Sequence, residues 1–170
     1  MPTSTRALPV IAAAALAVFA FAAPASAQTF KAELTGAAVV PEPIKTPASG
    51  QLEMTVAANG QSINYVLTVK DIENVTEGDI HLGPAVANGP LVVKLFHGAA
   101  KKGPFSGVLA QGKIDAADLA GSMGGAKLSE LIDEFKAGNA YVNVHTSDGT
   151  DPPNSGPGDY RLGEIRGQIK

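Results

Sequence analysis

Three side chains in this sequence have the types and spacing to hold a metal ion together. Asp79-Ile80-His81 sets a carboxylate and an imidazole two residues apart, and Tyr141-Val142-Asn143-Val144-His145 brings a second imidazole on another alternating run. In a strand, residues i and i+2 share a face. Ile80 and Leu82 then point one way, and Asp79 and His81 the other. Val142 and Val144 likewise oppose Tyr141, Asn143 and His145. If the two strands are neighbours, Asp79, His81 and His145 converge on the outer face of a sheet. Two imidazoles and a carboxylate suit Zn²⁺, Cu²⁺ or Fe²⁺. The chain has no cysteine, which excludes a blue-copper centre and leaves an open nitrogen/oxygen site, with copper or zinc as the expected ion. The competing reading makes both histidines ordinary polar residues of a solvated face, hydrogen-bonded to Asn143 or Asp79.

Other chemistry finds little support. His97 ends an apolar run beside Gly98 and reads as a strand-end residue facing water. Glu164 and Arg166 share one face of the last alternating segment. They read as an exposed cross-strand pair worth under ~1 kcal/mol, or, less simply, as partners that orient a histidine. Asp148 to Asn154, with Asp159, offers oxygen atoms but lacks the ligand spacing and terminal glutamate of an EF-hand. Gly121-Ser122-Met123-Gly124-Gly125 does not follow a strand in a βαβ unit, so it does not read as a phosphate loop. Asn74-Val75-Thr76 is a glycosylation sequon, expected to be idle behind the bacterial-looking leader of residues 1–27. No serine sits in a nucleophile elbow. No residue is assigned as catalytic, and no organic cofactor is expected.

The elements that must position the three side chains begin after a leader. Residues 1–27 read as a signal peptide, with Arg6 before an Ala-rich apolar run and Ala25-Ser26-Ala27 as the cleavage signature. Residues 28–170 are then a single domain, exported to the periplasm or beyond, with no membrane anchor after cleavage. The chain carries 13 basic and 16 acidic residues and no tryptophan. That balance gives no reason to expect nucleic acid or anionic lipid as partner. An exported chain without cysteine depends on packing, hydrogen bonds or an ion rather than disulfides.

Period-two alternation places strands at Phe30–Thr35, Gln51–Val56, Ile63–Val69, Asp79–Leu82, Leu91–Phe96, Val108–Ile114, Tyr141–Thr146 and Leu162–Lys170. Asn59-Gly60 between two such runs predicts a hairpin. The three prolines at 41, 43 and 47 predict an edge or loop. Residues 72–76 read as a connector, 98–107 as a loop and 147–159 as a loop. Asp115 is placed to cap a short helical turn. Leu128, Leu131, Ile132 and Phe135 share one face of a helix over residues 127–136, which Gly138 ends. In the last strand, Ile165 and Ile169 are expected in the core, with Glu164, Arg166 and Gln168 facing away. The pattern predicts a mainly-β fold, an antiparallel Greek-key sandwich with one or two short helices.

Several blocks in order resemble a CHRD domain, the module named after chordin and also found singly in exported bacterial proteins. They are Ala32-Glu33-Leu34-Thr35-Gly36, Val40-Pro41-Glu42-Pro43, Ala48-Ser49-Gly50, Ile80-His81-Leu82-Gly83, Gly89-Pro90-Leu91-Val92-Val93, Ala137 to Thr146, and Gly163-Glu164-Ile165-Arg166-Gly167-Gln168-Ile169. They span about residues 30–170. The resemblance implies a secreted all-β sandwich, immunoglobulin-like or superoxide-dismutase-like, and names no reaction. Two departures stand out. The family pattern has His-x-His where this chain has Asp79-Ile80-His81, and the loop from Ser147 to Tyr160 is longer and more acidic.

The leading expectation is therefore a secreted, non-enzymatic binding or structural module able to hold one ion at Asp79, His81 and His145. A copper- or zinc-dependent redox enzyme acting on a small molecule such as superoxide is the second. An extracellular adhesion domain that binds another protein and no metal is the third, favoured by any apolar patch beside Val39–Ile44.

Overall fold

The computed structural model describes residues 27–170. The leader expected over residues 1–27 lies, but for its last residue, outside them. No helix among the described residues is long and apolar enough to cross a membrane.

Among the described residues the strands are β1 Thr29–Thr35, β2 Ser49–Val56, β3 Ile63–Leu82, β4 Leu91–Phe96, β5 Lys101–Ile114, β6 Ala140–Thr146 and β7 Ile165–Gln168, with one α-helix, α1, at Leu128–Lys136. Every pairing is antiparallel. β3 organises the whole. It runs for 20 residues and pairs with four other strands. Partners that meet the same stretch of a strand must lie on its opposite edges. One edge of β3 therefore takes β2 along its first half and β6 along its second. The other edge takes β5 and then β4. From neighbour to neighbour, β2, β1, β7, β6 and β3 form a closed ring.

This closure corrects the expected Greek-key sandwich: one sheet curls into a five-stranded barrel instead of two sheets stacking. The cause lies in residues 71–74. Asp71 and Asn74 both have a φ of 52°, and the pairing with β5 slips between Val69 and Ile72 and again between Glu73 and Val75. Such bulges bend a strand and increase its twist. The expected connector at 72–76 is thus the bent middle of β3. Ile72 and Val75, three residues apart, are both fully buried there, and that spacing breaks the alternation by which a strand is recognised. The expected loop at 98–107 also differs, since β5 starts at Lys101 and pairs Phe105 with Ile72.

Other local expectations hold. Val56 and Ile63 pair across the Asn59-Gly60 turn, where Gly60 has a φ of 68°. The Asp115 carboxylate accepts the Ala117 N–H, and the Asp118 carboxylate accepts the Asp115 N–H in return. Leu128, Leu131, Ile132 and Phe135 are the buried face of α1, and Phe135 meets Phe30 edge-on with ring centroids 5.2 Å apart. Ile80, Val142, Val144 and Ile165 are fully buried in the core, so Asp79, His81, Asn143 and His145 take the opposite face, as the alternation requires.

β7 is shorter than expected, and its second face is covered as well. Glu164 and Arg166 are buried, at 0 and 2 % exposure, and they do not pair with each other. Glu164 accepts the hydroxyls of Thr46 and Thr146 and the N–H of Gly158. One carboxylate thereby ties the proline-rich segment and the 147–159 loop to β6. Glu164→Ala strands these donors in the interior. It is expected to cost about 3 kcal/mol or more, since hydrogen bonds to a charged group are worth roughly 1.5–3 kcal/mol each. Urea denaturation of the variant beside the wild type measures it.

A candidate metal site on the barrel wall

The second half of β3 lies against β6 in a register that sets Glu77 opposite His145, Asp79 opposite Asn143 and His81 opposite Tyr141. The residues expected as ligands therefore come together. One ligand atom from each of Asp79, His81 and His145 lies within 4.8 Å of the other two. His145 Nε2 is 3.6 Å from Asp79 Oδ2, too far for a hydrogen bond. The imidazole centroids are 6.2 Å apart.

Backbone carbonyls fix both rings. His81 Nδ1 lies 3.0 Å from the Gly89 carbonyl, and His145 Nδ1 lies 2.9 Å from the Arg161 carbonyl. A carbonyl oxygen only accepts, so each Nδ1 carries the proton. In the neutral ring each Nε2 then keeps its lone pair. Both Nε2 atoms and both Asp79 oxygens are buried without a hydrogen-bond partner. Buried polar atoms are nearly always paired. Four unpaired acceptors around one point is the arrangement a cation would satisfy.

The electrostatics agree with that geometry. Asp79 is 1 % exposed. Its burial, reinforced by the Glu77 charge, pushes its carboxyl up to about 6, against the opposing pull of His81, Lys94 and His97. Burial also lowers the His81 pKa, although the Gly89 hydrogen bond and Asp79 both favour its charged form. Burial thus favours the neutral form of both groups, and a neutral imidazole is the form that can act as a ligand.

Around these three side chains lie Tyr141 and Asn143, which alternation places on the same face, Arg166, which the sequence offers as a partner orienting a histidine, and Gly163, which it does not single out. Asn143 donates to the Leu162 carbonyl, and its Oδ1 is buried without a partner. Gly163 has a φ of 121°, and a Cβ there would fall 2.2 Å from Asn143 Oδ1, so only glycine lets residues 161–163 lie this close to β6. The Tyr141 ring stacks on His81, with centroids 5.1 Å apart and planes 10° apart, and the Arg166 guanidinium lies 3.6 Å from the Tyr141 centroid. The sequence signal for Arg166 was its place on the outward side of β7. Its burial came from the turn that covers it.

The remaining sequence candidates fall elsewhere. His97 is exposed and outside the cluster. In the acidic loop, the Asp148 carboxylate binds the N–H and hydroxyl of Thr150, and Asp159 binds Ser155. Asp148 is occupied within its own turn, as in an ordinary surface loop, whereas Asp159 is buried, with Oδ2 taken by Ser155 and Oδ1 without a partner. The Asn74 amide bonds Gly103 and Gly158 and is not a free glycosylation acceptor. A groove of about 430 Å³ opens beside the proline-rich segment, lined by Val39, Val40, Pro41, Pro43, Ile44 and Leu162 among others.

Comparison with curated proteins and with solved structures found no significant match. The family model of the CHRD domain matches residues 30–153, from the second residue of β1 through β6 and into the loop beyond it. That match takes in Asp79, His81 and His145 and ends before the Glu164–Arg166 segment. It spans most of the chain, which therefore belongs to the CHRD domain family.

Proposed function

We propose that this CHRD domain is an exported, non-enzymatic binding module that holds one copper or zinc ion through Asp79, His81 and His145. The observation that carries the reading is the set of four buried, unpartnered acceptors, Asp79 Oδ1 and Oδ2, His81 Nε2 and His145 Nε2, with each imidazole already held by its other nitrogen. A metal-binding histidine characteristically donates its second N–H to a carbonyl or carboxylate, which fixes tautomer and ring direction. The donor set of two nitrogens and one carboxylate suits zinc or copper(II) and disfavours calcium or magnesium, which prefer oxygen alone. Bound there, the ion would neutralise Asp79 and cross-link β3 to β6, stabilising a fold that has no disulfide.

The test is thermal denaturation in chelator and with added copper or zinc. A ligand at 100 times its Kd stabilises the folded state by about 2.7 kcal/mol. That corresponds to roughly 5–15 °C for a domain of this size. No change in melting temperature with either metal refutes the reading.

Two observations favour other readings, and each separates from the first. Three protein donors leave a coordination position open, which a redox enzyme would use for its substrate. Metal-dependent turnover of superoxide, lost in His81→Ala, would establish that activity. The groove at Val39–Ile44, lined by apolar side chains together with Glu42, Lys45 and Asn88 and flanked by the 84 % exposed Leu162, favours a protein partner. A partner bound there is indifferent to chelator.

A further inference from the structure

Arg166 is the largest fully buried side chain described, and no carboxylate lies within salt-bridge distance of it. All its hydrogen bonds go to neutral atoms of one turn: Nη1 donates to Asn88 Oδ1, and Nη2 donates to the carbonyls of Pro84 and Ala87. Burying a charge without a counter-ion is costly. A leucine or methionine would fill the same space on β7 without that cost. The turn Arg166 clamps is the one that carries Gly89, whose carbonyl takes the His81 Nδ1 proton.

The guanidinium reaches His81 by a second route. Its central carbon lies over the ring of Tyr141, 3.6 Å from the centroid; Tyr141 is 1 % exposed and stacks on the His81 ring. The Tyr141 hydroxyl accepts the Gly89 N–H at 3.0 Å. Gly89 is thus fixed on both sides: its N–H by Tyr141, and its place in the chain by the Arg166 fork. A Cβ on Gly89 would overlap the Leu82 carbonyl at 1.7 Å, so the turn sits against the end of β3 with no slack. Gln168 ties the same turn from the next outward position, donating to the Gly83 carbonyl.

We infer that Arg166 is a positioning residue for the metal site: by clamping the 84–89 turn and backing Tyr141, it holds His81 with Nδ1 protonated and Nε2 turned toward Asp79. This rests on the metal reading for its purpose and not for its geometry. Lysine cannot replace it, because its three donors radiate from one nitrogen and reproduce neither the planar two-nitrogen fork nor the stacking of a guanidinium on a ring. A free neutral imidazole prefers its proton on Nε2, so the Nδ1 tautomer at His81 is imposed by the Gly89 carbonyl and lost when that carbonyl moves.

The test uses ¹⁵N-labelled, metal-free protein as wild type, Arg166→Gln and Arg166→Lys, with folding checked by circular dichroism. Long-range ¹H–¹⁵N spectra report which ring nitrogen of His81 carries the proton. The wild type is expected to show Nδ1–H, and both variants a mixture with Nε2–H. Copper titration of the same samples is expected to show a loss of about 10–100-fold in affinity, the usual effect of removing a group that orients a ligand. The copper(II) EPR spectrum should fall from two coordinated imidazoles to one. A folded Arg166→Gln with the wild-type tautomer and affinity overturns the inference. Full recovery in Arg166→Lys also overturns it, because charge and not the fork would then be what acts. If Arg166→Gln does not fold, Arg166→Met, which fills the same space without the fork or the charge, takes its place, and an unchanged His81 tautomer there overturns it equally. A wild type that takes no copper, yet releases the Nδ1 tautomer in the variants, refutes the metal reading and leaves the positioning role standing.

Discussion

Asp79→Asn is expected to raise the stability of the metal-free protein at neutral pH while abolishing its metal binding. The carboxyl group is 1 % exposed, neither oxygen has a hydrogen-bond partner, and its pKa stands at about 6 instead of 3.8. A carboxyl whose folded pKa lies above its unfolded one binds protons more tightly when folded. Its contribution is therefore most favourable below pH 3.8 and is lost as the pH rises through about 6. Above that, the ionised group costs up to about 3 kcal/mol, at 1.36 kcal/mol per pKa unit. Asparagine removes the charge but leaves an amide with few partners, so a gain of about 1–2 kcal/mol is expected. That amounts to a melting temperature raised by roughly 3–8 °C at pH 7.5 in chelator.

His81 has the opposite slope. Its folded pKa is lowered, so its cost grows as the pH falls below about 6.5. Below about pH 6 the two slopes oppose each other and largely offset in the wild type, whereas Asp79→Asn keeps only the His81 loss, so the variant should fall more steeply than the wild type as the pH drops from about 6.5 to 5. Denaturant midpoints in chelator between pH 5 and 8 read both. A variant that melts below the wild type at pH 7.5 contradicts the account. A residue that weakens its own fold until something binds to it is the mark of a functional position.

The second large effect is expected from His81→Ala with His145→Ala. Each imidazole keeps only one hydrogen bond, to a carbonyl, so their loss should cost the metal-free fold about 1–2 kcal/mol. Copper affinity should fall by more than about 100-fold, beyond what loss of an orienting group causes. The stabilisation by added metal should vanish with it. Equal metal-induced shifts in melting temperature for wild type and double variant would place the ion elsewhere.

The candidate site was legible in the sequence because it follows from the simplest rule of a strand. Ile80, Val142 and Val144 are core residues, and their neighbours Asp79, Asn143 and His145 face the other way. What alternation does not carry is the three-dimensional cause of burial. β3 looked like two strands with a connector because its bulges at Asp71 and Asn74 shift the apolar positions out of phase. Without a single continuous β3, nothing indicated that the sheet would close on itself. Glu164 and Arg166 were read as outward-facing, and they are, but the proline-rich segment, the 147–159 loop and the 83–90 turn lie over that face. The groups that set both histidine tautomers are the carbonyls of Gly89 and Arg161. Backbone atoms leave no residue-type signal, so only the folded chain reveals them. The resemblance to the CHRD family, read from short blocks, is matched by the family model over residues 30–153.

The most direct test of the central claim is elemental mass spectrometry of metal in purified residues 28–170, as isolated and again after incubation with copper and zinc. The account predicts close to one copper or zinc per chain, removed by chelator and absent from the His81→Ala, His145→Ala variant. A wild type that stays free of both metals after incubation would contradict it, and the unpaired acceptors of Asp79, His81 and His145 would then have no cation to explain them.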